Sequence, residues 1–179
     1  ATYKAKLKSL RSLPEAVIKA MEALPASAHP MDVMRTTSSV LGTCIQEKEE
    51  HPESEARDII DRLMACFSSA LLYWYHFTVN GKRIDVETED DSIGGHFLHL
   101  LHGEKPSDSW VRAMHTSLNL YAEHEFNAST FTARVIAGTN SDMYSSITGA
   151  IGALRGSKHG GANEVAFHIQ SRYNSVDEA

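Results

Sequence analysis

The sequence predicts an all-α fold, and three observations lead to that prediction. Apolar residues recur at spacings of three and four, the period of a helix face, as in the series Ala56, Ile60, Leu63, Phe67, Leu71 and Trp74. Alternating apolar and polar runs, which are typical of half-buried strands, are nearly absent. Residues that end helices punctuate the chain at Pro14, Pro25, Pro30, Pro52, Asn80 with Gly81, and 103–106.

These breaks delimit nine predicted helices, taken in order along the chain. They lie near residues 2–12, 14–24, 30–43, 53–78, 92–102, 108–123, 128–138, 141–155 and 161–173. Prolines separate the first four, because proline cannot continue a preceding helix. The fourth contains the uncharged run 63–77, which falls short of the roughly 20 apolar residues that span a bilayer. A buried helix is therefore favoured over a membrane span.

Turn and cap residues delimit the later helices. The acidic tract 85–91, after the turn at Gly81, predicts a solvated connection, with a metal-binding loop as the alternative. The sixth and eighth helices have side chains that accept hydrogen bonds from free N–H groups at their starts, namely Ser107 and Asp108, and Ser141 and Asp142. The ninth opens at Gly160 and Gly161.

Composition limits the possible classes of protein. A chain of 179 residues, 42% hydrophobic, can bury one substantial core, so we expect a single helical domain over 1–179. The net charge of −6 offers no basic face for nucleic acid. Two cysteines, Cys44 and Cys66, fit reduced thiols better than a disulfide framework. The basic start lacks the apolar stretch of a signal peptide, and a cytoplasmic location is expected.

Histidines are numerous, and His96, His99 and His102 recur every three residues. Zinc is one interpretation, but positions six apart drift off a shared helix face, and no Cys or carboxylate completes a familiar ligand spacing. Histidines at the surface and edge of an amphipathic helix are favoured instead, and no metal is expected. His124, at the end of the sixth helix, is equally compatible with a capping role and with a functional one.

The segment LRGSKHGGANE, residues 154–164, has the pattern of a ligand site. Gly156, Gly160 and Gly161 remove side chains around His159 and allow a close approach to the imidazole and the backbone. Neighbouring Arg155 and Lys158 favour an anionic ligand. The segment is not a P-loop, since it lacks the Gly-Lys-Ser/Thr ending. A tight interhelical turn is the structural alternative.

Together, HEFNAST at 124–130 and KHGGANE at 158–164 resemble the paired signature of the citrate synthase family. The resemblance runs the whole chain. The segments HPMDVMRT, YWYHF and DDSIGGHFLHLLHGEKP are most similar to the branch of the family that uses propionyl-CoA. The resemblance implies the large helical domain of that fold, with the small domain largely missing.

The family's chemistry implies roles for four residues. By resemblance, His159 donates a hydrogen bond to the thioester carbonyl of acyl-CoA, while His124 binds oxaloacetate together with Asn127 and Ser129. The implied co-substrate is propionyl-CoA, or acetyl-CoA, with no permanently bound cofactor and no metal.

The resemblance also implies a homodimer, in which the helix 141–155 takes part. Its small residues Gly149 and Gly152 allow another helix to approach closely, although packing within the chain is the plainer interpretation.

Two family features are expected downstream and do not match this chain. These are a histidine in a GFGHPVY-like motif and an enolising aspartate; after Gly160 only His168 and Asp177 occur, and neither fits. The family's opening GYRGYDI-like pattern is also missing. We therefore expect the 179-residue polypeptide to be inactive by itself. A non-catalytic helical dimerisation module is the alternative.

Overall fold

A computed structural model describes residues 3–48 and 52–178. These residues form nine α-helices, one 3₁₀ helix at Val176–Glu178 and no strand. The α-helices are α1 Tyr3–Ser9, α2 Glu15–Glu22, α3 Pro30–Cys44, α4 Glu53–Asn80, α5 Ile93–His102, α6 Asp108–Tyr121, α7 Ala128–Ala137, α8 Met143–Leu154 and α9 Gly161–Gln170. The all-α prediction is thus confirmed.

The core lies where α2, α3 and α8 pack against the first three-quarters of α4. The long helix α4 carries the largest share of buried side chains, including Leu63, Cys66 and Trp74. From α8, Tyr144 inserts its ring beside α3, where a Cβ at Gly42 would overlap it. Among the described residues no helix is long and apolar enough to cross a membrane.

Side-chain caps begin several helices, as the cap pattern predicts. Ser107 accepts a hydrogen bond from Trp110 N at the start of α6, and Asp142, rather than Ser141, accepts one from Ser145 N at the start of α8. At the C-terminal ends of α4 and α5, Gly81 and Gly103 adopt left-handed backbone angles, a conformation that favours glycine.

Four helices end two or three residues earlier than predicted. Helix α1 ends at Ser9 instead of residue 12, because the buried side chain of Arg11 turns towards the acidic connection and donates to Thr88 O and Ser92 O. Helix α2 ends at Glu22 rather than 24, α6 at Tyr121 rather than 123, and α9 at Gln170 rather than 173. The predicted first position, residue 2, lies outside the described residues.

The acidic connection is irregular, as predicted, but it is tied to the fold rather than merely solvated. Glu89 forms an ion pair with Lys8 at 2.7 Å, and Asp90 contacts His99 Nδ1 at 2.6 Å. These bonds fix the connection against α1 and α5.

Helices α7 and α8 pack tightly against each other, and Gly149 makes this possible. A Cβ at Gly149 would overlap Ile136 Cδ1 of α7, so this glycine serves packing within the chain. Gly152 is half-buried and has only Arg35 Cδ within reach, at 3.7 Å from an added Cβ. Helix α9 follows α8, and residues 162–170 are all exposed.

Candidate active site

His124 and His159 lie next to each other, although 34 residues separate them in the sequence. Their ring centroids are 6.1 Å apart and the rings meet edge to face at 71°. His124 belongs to the segment that joins α6 to α7, and His159 belongs to the loop between α8 and α9. The α7–α8 packing brings these two connections to the same end of the helix pair.

The first turn of α7 supplies the polar groups beside His159. Asn127 caps the helix, because its Oδ1 accepts a hydrogen bond from Thr130 N at 2.9 Å. Ser129 Oγ lies 2.7 Å from the same Oδ1 and 3.0 Å from His159 Nε2. Three of the four residues singled out in the sequence therefore form one hydrogen-bonded chain, and the fourth, His124, borders it.

This hydrogen-bonded chain constrains where the protons lie. Asn127 Oδ1 is only an acceptor, so the single hydroxyl proton of Ser129 is directed at it. His159 Nε2 then donates to Ser129 Oγ. In this arrangement a neutral imidazole has Nδ1 as its free acceptor. For Nδ1 to become a donor in a neutral ring, the Ser129 proton must rotate towards Nε2.

The loop that carries His159 is closed by its own backbone. His159 N donates to Gly156 O at 2.9 Å and Gly161 N donates to the same oxygen at 3.2 Å. A Cβ at Gly160 would overlap the backbone oxygen of Leu154. Glycine at 160 thus lets the loop pass close to the end of α8, which sets the position of His159.

On the other side of the site, the backbone turns sharply after His124. Glu125 has a φ of 50°, which is uncommon for a residue other than glycine. Glu125 N donates to the side chain of Glu123 at 2.5 Å, which closes the turn. His124 is exposed and His159 is half-buried, so both imidazoles are accessible to a ligand.

The triplet His96, His99 and His102 does not form a metal site. His96 is fully buried, with Nε2 3.1 Å from Ser69 Oγ and Nδ1 3.1 Å from Thr88 Oγ1. Burial, reinforced by nearby Arg11, lowers the pKa of His96 to about 4. This corrects the prediction of surface and core-edge positions for His96. Within residues 3–48 and 52–178, no group of three His, Cys, Asp or Glu side chains is arranged to hold a metal ion.

The structure also places residues near the site that sequence analysis did not single out. His29 Nε2 lies 3.3 Å from Glu164 Oε2, and Asp32 Oδ2 lies 3.7 Å from Arg155 Nε. In the sequence, the HPMD stretch, residues 29–32, indicated a resemblance to the family but no functional role. Its partners lie more than 100 positions away, and sequence periodicity does not reveal pairs at that distance.

The two downstream residues considered in the sequence lie on exposed elements. His168 is on α9, where its Nε2 is 3.9 Å from Glu164 Oε1, and Asp177 is in the 3₁₀ helix.

Comparison with known proteins gives matches over the whole chain. Residues 1–179 match the family described as citrate synthase, C-terminal domain. A 2-methylcitrate synthase of Shewanella oneidensis is 59% identical over 169 residues, covering 94% of this chain and 44% of that protein. A citrate synthase of Deinococcus radiodurans is 36% identical and covers 100% of this chain and 47% of its own length.

Solved structures give the same result. The citrate synthase of Thermoplasma acidophilum, solved in a ternary complex with carboxymethyl coenzyme A and oxaloacetate, superposes with a TM-score of 0.85 at 28% identity. That match covers 97% of this chain and 45% of the other. The chain thus spans less than half the length of these relatives.

Proposed function

The chain belongs to the citrate synthase family, and from this premise we propose that the full-length protein carrying it is a 2-methylcitrate synthase. This enzyme is an acyltransferase that converts the acyl group to an alkyl group on transfer. Propionyl-CoA, oxaloacetate and water give 2-methylcitrate and CoA. A carbon–carbon bond forms between the α-carbon of propionyl-CoA and the keto carbon of oxaloacetate, and water cleaves the thioester.

The arrangement of His159, Ser129 and Asn127 is the observation that carries the proposal. His159 would polarise the thioester carbonyl through Nδ1, the ring nitrogen that Ser129 does not occupy. A fixed donor aimed at an oxygen that gains charge is an effective form of catalysis, because the donor does not reorganise during reaction. Rotation of the Ser129 proton from Asn127 to Nε2 would let a neutral imidazole donate.

His124 would bind oxaloacetate beside the activated thioester. Its ring lies 6.1 Å from that of His159 between centroids, so ligands bound to the two imidazoles would be neighbours. Holding both reactants together turns a bimolecular encounter into an effectively unimolecular step. Asn127 and Ser129, at the start of α7, would add polar groups to the oxaloacetate site.

Acetyl-CoA is the alternative acyl donor, and the citrate synthase of Deinococcus radiodurans supports it at 36% identity. The 59% identity to a 2-methylcitrate synthase favours propionyl-CoA. By this proposal the protein serves propionate catabolism in the cytoplasm as a homodimer, with acyl-CoA as co-substrate and no permanently bound cofactor. We also propose that the 179-residue chain does not turn over alone, so that it would act only as a folded binding module.

The test uses the full-length protein, oxaloacetate and either propionyl-CoA or acetyl-CoA, with CoA thiol release followed over time. We expect oxaloacetate-dependent release, with the larger kcat/KM for propionyl-CoA. His159→Gln should abolish release, whereas His102→Gln, at an exposed position at the end of α5, should leave it unchanged. A preference for acetyl-CoA would identify a citrate synthase, and consumption of neither thioester would refute both assignments.

A further inference from the structure

The HPMD stretch at the start of α3 has no part in the proposed chemistry, yet two of its side chains reach the segment that carries His159. His29 contacts Glu164 and Asp32 contacts Arg155. Arg155 directly follows α8, and Glu164 lies in the first turn of α9. The two contacts therefore attach to both ends of the loop that holds His159.

The hydrogen bond at the start of α3 selects one tautomer of a neutral His29. Its Nδ1 accepts a hydrogen bond from Met31 N at 3.1 Å and caps α3. A neutral imidazole with Nδ1 as acceptor carries its proton on Nε2, and Nε2 faces the carboxylate of Glu164. The contact to Glu164 therefore needs no change in the charge of His29.

Helix α9 has few other anchors among the described residues. Residues 162–170 are exposed, and its other side-chain hydrogen bond to a different helix runs from Tyr121 Oη to Asn163 Oδ1 at 3.5 Å. The start of α9 is in turn bonded to the loop, because Ala162 N donates to His159 O at 3.0 Å. Movement of Glu164 would therefore move the backbone of His159.

We propose that His29 is a positioning residue for His159, and that it acts through Glu164 with Asp32 as a second contact. Two helices then share the placement of one imidazole: α7 fixes the ring through Ser129, and α3 fixes the main chain through His29. The inference rests on the proposed function for its kinetic consequence, but its structural consequence is independent of turnover.

The contact is exposed enough that it contributes little to the stability of the fold. The side chains of His29 and Glu164 are 28% and 55% exposed, and exposed ion pairs are worth little in the free energy of unfolding. Catalysis is more sensitive to position, since a shift of about 1 Å in a reacting group costs up to roughly a hundredfold in rate. The expected effect is therefore on kcat.

The test uses His29→Asn, Glu164→Ala and the double variant in the full-length protein. Asparagine is a favoured N-cap residue, so His29→Asn retains the start of α3 while its shorter side chain cannot reach Glu164. Glu164→Gln keeps an acceptor oxygen and serves as the conservative rescue. Glu15→Ala, which breaks the exposed pair with Lys19 on α2, is the matched control.

We expect kcat to fall roughly tenfold in both single variants, with the KM for oxaloacetate near its wild-type value. The double variant should be no slower than the slower single variant, because both changes remove one contact. Glu164→Gln should recover most of the rate, and Glu15→Ala should show wild-type kinetics. Wild-type kcat in both singles, or a double variant that shows the product of two independent losses, overturns the inference.

Hydrogen exchange provides a readout that does not need turnover. The amides of Gly161 and Ala162, which close the loop, should exchange faster in His29→Asn than in the wild type. Unchanged exchange overturns the inference whatever the kinetics show. If the wild-type protein consumes neither thioester, the proposed function fails, and the exchange rates still decide this inference.

Discussion

Ser129 Oγ is hydrogen-bonded to both Asn127 Oδ1 and His159 Nε2, so its replacement reports directly on the site. Ser129→Ala should lower kcat of the full-length protein roughly tenfold to a hundredfold, because the ring nitrogen of His159 loses its fixed partner while the ring itself remains. Steady-state kinetics with saturating oxaloacetate measure this. Ser171→Ala, an exposed hydroxyl beyond α9, is the control, and an unchanged kcat in Ser129→Ala would contradict the assignment.

Buried His96 should make stability depend on pH. Its pKa is about 4 in the fold against an ordinary value of 6.5, so the unfolded chain binds a proton more readily between these values. Stability is then fully present above about pH 6.5 and declines as the pH falls towards 4, by roughly 3 kcal/mol for this group.

Urea unfolding at pH 7 and pH 5 checks this expectation. The loss of stability between the two pH values should be smaller in His96→Gln than in the wild type. The neighbouring side chains of Arg11, Asp90 and His99 stay in place in this variant. His168→Gln removes an exposed histidine and should leave the loss unchanged. An equal loss in wild type and His96→Gln would show that another group is responsible.

The location of a functional side chain could be predicted from the sequence where the residue belongs to a recognisable motif. It could not be predicted where it depends on a contact with a residue far away in the sequence. His124 and His159 stand in two motifs, and the structure places them side by side. The burial of His96 depends on Ser69, 27 positions earlier, and on Thr88 in an irregular connection. The spacing of three residues between histidines on one helix indicates neither of these contacts.

At the level of helices, the α7–α8 packing depends on Gly149. Gly149→Ala should destabilise the protein by about 1 to 3 kcal/mol, because the added Cβ overlaps Ile136 and forces repacking. Gly152→Ala, in the same helix, meets only Arg35 Cδ at 3.7 Å and should be neutral or stabilising by up to about 1 kcal/mol. Thermal unfolding of the two variants side by side measures the difference, and equal effects would contradict the packing argument.

Helix positions followed from local signals, and most helix ends did too. The starts of α6 and α8 were predicted from cap residues, and α3 and α4 begin beside prolines as expected. The end of α1 was wrong by three residues because Arg11 is drawn towards Thr88, a tertiary contact. The tie between the acidic connection and α1 was missed for the same reason.

At the scale of the whole molecule, the exposed apolar side chains of α9 offer a surface for association with a second copy. Val165 and Ile169 are 53% and 46% exposed and lie four residues apart, on one face of the helix. Half-buried Ala150 and Ala153 of α8 offer a small-residue surface before them. A second copy that covers α8 and α9 would bury this surface, in keeping with the proposed homodimer.

Sedimentation of the full-length protein tests this arrangement. We expect a dimer for the wild type and a shift towards monomer for Val165→Asp, because a buried unpaired carboxylate opposes association. Val79→Asp places the same charge at an exposed position near the end of α4 and should remain dimeric. A wild-type monomer, or a dimeric Val165→Asp, would contradict the role of α9.

The fold class and the family were readable from the sequence, whereas the closeness of α3 to the His159 loop was not. Periodicity and motifs are local properties of the sequence, but His29 and Glu164, which are in contact, lie 135 positions apart.

The hydrogen bond between Ser129 and His159 joins residues only 30 positions apart and so closes a much shorter loop of chain. The entropy lost in closing a flexible loop grows with the logarithm of its length, so the longer closure costs about 1 kcal/mol more. The serine–histidine contact therefore belongs to the local hairpin of α7 and α8, whose second helix also packs against α3. We therefore expect the hairpin to bring its two imidazoles together before the amino-terminal helices dock and add their restraint.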